Sequence, residues 1–199
     1  DACMWAVKRG IADKKRIAIM GGSYGGYATL VGMTQSSNLF ACGVDIVGPS
    51  NLLTLLNSIP PYWAPMLQQF KTRVGDPTTD EGKAFLESRS PLNRASAISK
   101  PLLIAQGAND PRVKQAEADQ IVKAMKDNNI PVTYILYPDE GHGFARPENN
   151  ISFMAVTEAF LAKNLGGRFE PIGDAFTNST ITVKEGAEQV PGLQEALPK

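Results

Sequence analysis

The sequence predicts one α/β domain, a parallel sheet flanked by helices on both faces. Three observations carry this. Short apolar runs rich in Ile, Val and Leu recur at residues 16–20, 41–47, 102–106 and 132–137, at lengths that suit buried strands. Stretches with helical spacing separate them, and strands alternating with helices build a parallel sheet covered on both sides. The chain has 199 residues, 43% of them hydrophobic, enough for one core.

Each element has a local reason. Residues 1–10 open with an amphipathic helical pattern whose apolar face is Ala2, Trp5 and Ala6, with Ile11 beyond. A strand over 16–20 leads into a Gly-rich turn. A helix then follows from Gly26 to Met33, with Tyr27, Leu30 and Val31 on one side. The second strand, 41–47, is closed by Gly48-Pro49-Ser50. Residues 50–99 form a long excursion with helical pieces around Leu52–Leu56, Met66–Val74 and Asp80–Leu86. The third strand, 102–106, stops at Gly107. A helix over 115–126 shows Ala116, Ile121, Val122 and Met125 on its apolar side. Val132–Tyr137 is the fourth strand, rich in β-branched and aromatic residues. A last amphipathic helix spans Ile151–Leu165 and stops at Gly166-Gly167. The domain is expected to occupy residues 1–169. Residues 170–199, poor in apolar residues, read as a C-terminal tail or surface-draped segment.

Composition excludes several classes of function. Lys plus Arg and Asp plus Glu number 20 each, so the net charge is zero, with no electrostatic case for nucleic acid or an anionic membrane. No apolar run approaches the roughly 20 residues of a membrane span. Cys3 and Cys42 are too few for a disulfide scaffold or a zinc site and read as two thiols. With no His-x-x-x-His or Cys-x-x-Cys pair, neither metal nor organic cofactor is implied.

The informative stretch is Gly21-Gly-Ser-Tyr-Gly25, which fits G-x-S-x-G between a strand and a helix. Such a turn holds its serine in a strained backbone conformation. Side chains at Gly21 or Gly25 are expected to collide with neighbouring backbone. The helix after Ser23 aims its N-terminal N–H groups at the place where an oxyanion would form. Catalytic groups of parallel sheets gather at the carboxyl ends of the strands. The third strand ends in a loop bearing Asp110, and the fourth in a loop bearing His142, the only histidine in the sequence.

These three residue types serve separate purposes. A serine hydroxyl needs a base, imidazole supplies one near neutrality, and a carboxylate holds the imidazole in the required tautomer. The order Ser23, Asp110, His142 is the one found on the α/β-hydrolase sheet. Asp110 also fits a cap for the next helix. Asp139 and Glu140 are rival acids, but they lie close in sequence to His142 and read as exposed turn residues.

Together, Gly21–Tyr27, Gln106–Val113 and Glu140–Phe144 resemble the prolyl oligopeptidase family of serine peptidases, most of all its acylaminoacyl-peptidase and dipeptidyl-peptidase-like branch. Arg73–Pro77, Ser90-Pro91-Leu92 and Leu165–Arg168 add to the likeness, which covers about residues 1–168. The resemblance implies Ser23 as nucleophile, Asp110 as orienting acid and His142 as general base. It also implies the N–H of Tyr24 as one oxyanion donor, Arg112 as a clamp on a substrate carbonyl, and Val113 as a residue of the side-chain pocket. Read by itself, Arg112 equally fits a surface ion pair. Tyr62 and Trp63 are candidates for the pocket's aromatic wall and equally suit packing within the helical layer.

The departures from the family carry expectations of their own. No propeller repeat is present, and the family's core sheet has further strands before the elbow, where the second oxyanion donor lies. The chain is therefore expected to be a partial α/β-hydrolase fold without its N-terminal strands. The open edge of its first strand would then pair with another copy, exchange elements or leave the chain poorly stable. The expected function is hydrolysis of short peptides through an acyl-enzyme. A carboxylesterase on the same fold and an inactive piece that only self-associates are the alternatives. The compartment is not legible, and the resemblance points to the cytoplasm or periplasm.

Overall fold

Five strands form a single sheet in the order β1 (Ala18–Gly22), β2 (Cys42–Ile46), β3 (Leu102–Gly107), β4 (Val132–Tyr137) and β5 (Thr182–Glu185). The structure, a computed structural model, describes residues 1–197. The first four strands run parallel, with Gly21 opposite Asp45 and Leu102 opposite Val132, while β5 runs antiparallel to β4. The mixed α/β architecture is that of a partial α/β-hydrolase domain.

Alternation along the strands sorts the core into two layers. Leu102, Ile104, Val132 and Tyr134 face one side, where α2 (Tyr24–Gln35) supplies Leu30 and Met33, and α6 (Gln115–Asp127) supplies Ala118, Ile121, Val122 and Met125. Val44, Leu103, Ala105, Ile135 and Tyr137 face the other, under Phe153, Val156, Ala159 and Phe160 of α7 (Pro147–Leu165). With both faces covered, every residue of β3 and β4 is buried, which explains why these strands read as unbroken apolar runs. A satellite cluster of Leu52, Leu56 and Leu86 holds α3 (Leu52–Asn57) against α5 (Asp80–Arg89). Between them, Pro61–Met66 forms a 3-10 turn that leads into α4 (Leu67–Arg73).

The segment after residue 169 corrects the expectation of a surface-draped tail. Ile172, Ile181, Val190 and Leu193 are buried in the α7 layer, β5 pairs with the free edge of β4, and a short α8 (Leu193–Ala196) follows. Few apolar residues suffice because each falls on an otherwise open part of the core. The opening helix departs in the opposite direction. α1 spans Ala2–Lys8 and buries nothing, leaving Trp5 58% and Ile11 69% exposed.

Two further differences have local causes. α7 begins at Pro147, four residues before the expected start, because proline suits the first helical position. On α6 the buried face carries Glu117 and Ala118 while Ala116 is exposed. Glu117 tolerates burial because its carboxylate accepts hydrogen bonds from the N–H groups of Ser50 and Asn51 and from the side chains of Thr54 and Gln120.

If the C-terminal segment belongs to the cooperative fold, Leu193→Ala, at a fully buried site, lowers the unfolding free energy by about 2–5 kcal/mol. Urea denaturation measures this, and an unchanged midpoint would show that the segment is not part of the cooperative unit.

Candidate active site

The site is assembled where β1, β3 and β4 end. β1 runs through Gly22 and α2 begins at Tyr24, so Ser23 alone makes the turn. Its φ of 59° lies in the left-handed region, a conformation that costs roughly 1–3 kcal/mol for a residue with a side chain. The surroundings hold it there. The Ser23 N–H donates to the Ile46 carbonyl at 2.8 Å, extending the β1–β2 ladder, and the Ser23 carbonyl accepts the Tyr27 N–H at 3.1 Å. Gly21 is required because a Cβ there would run into the carbonyl of Gly25. Gly25 itself has open space around its Cβ direction, against expectation, and the second crowded position is Gly26, packed against Asp45 and Gly48.

The acid loop follows β3. Asp110 is buried, and its Oδ1 accepts the N–H groups of Arg112 at 2.8 Å and Val113 at 3.0 Å. Two backbone donors fix the carboxyl plane and leave Oδ2 free to face the next loop. The histidine loop follows β4. Asn109 ties the two together: its side chain donates to the Pro138 carbonyl at 2.7 Å and its N–H to the Glu140 carbonyl at 2.9 Å.

These anchors bring Ser23, His142 and Asp110 into one hydrogen-bonded line. His142 Nδ1 lies 2.7 Å from Asp110 Oδ2, and His142 Nε2 lies 2.8 Å from Ser23 Oγ. An ionised carboxylate can only accept, so Nδ1 carries the proton and Nε2 is left to accept the serine hydroxyl. The histidine side chain is 13% exposed, so the line is shielded while its serine end can still be reached.

The remaining candidate residues fall in different places. Tyr24 is the first residue of α2, where a backbone N–H has no intrahelical partner, and its ring is exposed beside Tyr27. Arg112 makes no ion pair among the described residues. Its guanidinium instead sits 5.9 Å from the Trp63 ring centroid. Trp63 stacks on Phe70 and meets Tyr62 edge-on, so the excursion's aromatic group touches the acid loop through Arg112. Val113 is only 4% exposed, and its backbone N–H is one of the two that hold Asp110.

Glu140 was misread from the sequence, Asp45 was not singled out by it, and Asp139 was read correctly as exposed but without its partners. Glu140, expected as an exposed turn residue, is buried; its oxygens accept the N–H groups of Ala145 and Arg146 and the Asn149 side chain, each at 2.9 Å. A carboxylate shortly before a proline-started helix is the signal that could have revealed it. Asp139 is exposed as expected, but the Thr180 hydroxyl, with Arg146 and Asn149, holds its carboxyl down to about 2. Asp45 in β2 interrupts the apolar run Val44-Asp45-Ile46. It is fully buried, neither side-chain oxygen has a hydrogen-bond partner, and burial pushes it up to about 7, slightly offset by the backbone of Gly48.

Sheet, elbow and the order of these loops define an α/β-hydrolase arrangement. The chain belongs to the prolyl oligopeptidase family, whose profile matches residues 1–168. It is 68% identical over 197 residues to a dipeptidyl aminopeptidase BIII of Pseudoxanthomonas mexicana, covering 99% of this chain and 29% of that one. It is 51% identical over 186 residues to a dipeptidyl peptidase family member 6 of Caenorhabditis elegans, covering 93% of this chain and 25% of the relative. Among solved structures, a puromycin-hydrolyzing peptidase of Mycobacterium tuberculosis matches with a TM-score of 0.76 and 32% identity, over 86% of this chain and 25% of that one. The chain thus spans a quarter to under a third of the length of these relatives.

Asp45 gives the site's neighbourhood a pH dependence. Its carboxyl titrates near 4 when unfolded and about 7 when folded. Stability from this group is therefore full below about pH 4 and is lost as pH rises through about 7, with a slope of up to one proton. Asp45→Asn should abolish that slope in urea unfolding at pH 5, 6, 7 and 8. An identical slope in the variant would show that Asp45 is not its source.

Proposed function

We propose that this chain carries the reacting groups of a serine peptidase that cleaves short peptides through an acyl-enzyme on Ser23. The observation that carries the reading is the continuous line from Ser23 Oγ through His142 to Asp110. In the forward step, His142 Nε2 takes the hydroxyl proton as Ser23 Oγ bonds to the scissile carbonyl carbon. Asp110 stabilises the resulting imidazolium through Nδ1. The oxyanion forms beside the N–H of Tyr24 at the positive end of α2. The imidazolium then gives its proton to the departing amine, leaving the acyl ester on Ser23. Water, deprotonated by the same nitrogen, releases the acid and restores the serine.

Substrate class follows from two further features. Arg112, without an ion pair among the described residues and over the Trp63 ring, is positioned to hold a peptide carbonyl beside the acid loop. The exposed ring of Tyr62 and the half-buried ring of Trp63 offer an apolar wall for a neighbouring side chain. Val113, buried, acts through its backbone N–H by holding the Asp110 carboxyl. Two relatives, one named a dipeptidyl aminopeptidase (68% identical) and one a dipeptidyl peptidase family member (51%), favour release of dipeptides from peptide N-termini.

The test is labelling by a fluorophosphonate together with hydrolysis of dipeptidyl arylamides. A single adduct on Ser23, lost in Ser23→Ala and His142→Ala, is the expected result. Asp110→Asn should keep the fold and lower kcat by about 10⁴-fold. Undiminished hydrolysis in folded Ser23→Ala would sink the reading.

A further inference from the structure

The loop that carries His142 is held from two sides. Asn109 grips it from the acid loop at Pro138 and Glu140. The other grip comes from the segment after α7, which lies beyond the part of the chain that matches the family profile. There the Thr180 hydroxyl donates to Asp139, and the Thr180 N–H donates to Asn149 Oδ1 at 2.9 Å. Arg146 bonds Asp139 and also donates to the Asn178 carbonyl at 3.1 Å. The Ser179 hydroxyl donates to Asn149 Oδ1 at 3.0 Å and meets Ser152 Oγ at 2.8 Å. Asn149 is fully buried, and its amide donates back to Asp139 and Glu140, so it is the hub of the cluster.

We propose that residues 178–180 are a positioning clamp for His142, acting through Asp139, Arg146 and Asn149 on the loop that holds the imidazole against Ser23 and Asp110. The loop's own bonding shows why a clamp is required. Between Gly141 and Phe144 it carries two glycines, one at φ 115°, and its internal backbone bonding there is the single Gly143-to-Gly141 contact. Its two ends must therefore be fixed from outside. Glu140 closes the loop onto the start of α7 by accepting the N–H groups of Ala145 and Arg146. Residues 178–180 then hold Arg146, Asn149 and Asp139 in register with β5, whose pairing to β4 anchors the clamp to the sheet. Thr180 touches neither Ser23 nor His142, so it is a positioning residue.

This inference rests on the peptidase reading, and its test separates the two. In the active protein, Thr180→Val removes the hydroxyl donor at nearly constant volume, and Thr180→Ser restores it. Expected for Thr180→Val is a fall in kcat per phosphonate-titrated site of about five- to tenfold with KM unchanged, and recovery in Thr180→Ser. The second readout needs no catalysis: the imidazole Nδ1–H proton signal, assigned by its loss in His142→Gln. Its exchange with water should quicken by a similar factor in Thr180→Val. Should that variant not fold, Arg146→Gln, which cuts the parallel tie, is read the same way. Unaltered exchange and kcat in the folded variant would overturn the clamp. Hydrolysis surviving in Ser23→Ala would instead overturn the peptidase reading, while the exchange measurement still decides the clamp.

Discussion

The backbone at Ser23 is the constraint from which the rest of this structure follows. A strand passes into a helix through one residue, and that residue takes a conformation that its own side chain disfavours. The strain persists because β1 is tied to β2 on one side of the turn and α2 is packed into the core on the other. Gly21 allows the carbonyl of Gly25 to close over the strand, and Gly26 allows α2 to settle on Asp45 and Gly48. The product is a hydroxyl lifted off the sheet at the start of a helix, where the dipole favours negative charge.

The acids show how differently one chemical group is used. Asp110, Glu117 and Glu140 are all buried, and each accepts backbone N–H groups that would otherwise lack partners. Their burial cost is offset by these charge-assisted bonds, and the same bonds fix loops relative to the sheet. Asp45 is the exception, since only the neighbouring backbone of Gly48 offsets its burial. Such a group lowers its cost by keeping its proton, which accounts for a titration near neutrality.

The two edges of the sheet are treated unequally. β4 is covered by β5, and the layer on that side is completed by Ile172, Ile181, Val190 and Leu193. β1 pairs only with β2 among the described residues, and its own Met20 is exposed, as are the α1 residues Met4 and Trp5. The side with the histidine loop is therefore braced by the polypeptide that follows it, whereas the strand leading to Ser23 has an open edge among the described residues.

Four strands, the elbow and the order of serine, acid and histidine were legible in the sequence because each depends on local chemistry. Buried strands must be apolar, a left-handed turn demands glycines beside it, and loops at strand ends carry the polar residues. Val132–Tyr137 was readable to the residue for this reason. Tertiary structure alone decided the rest. Ile172, Ile181, Val190 and Leu193 are too widely spaced to show any period, and only the uncovered edge of β4 and the flank of α7 make them core. Glu117 and Glu140 have the composition of surface residues, and only the backbone donors that converge on them make burial tolerable. Trp5 looks like a buried anchor, yet it is more than half exposed. Sequence determines what a segment can do locally, and the partners that arrive from distant positions determine which of those options is used.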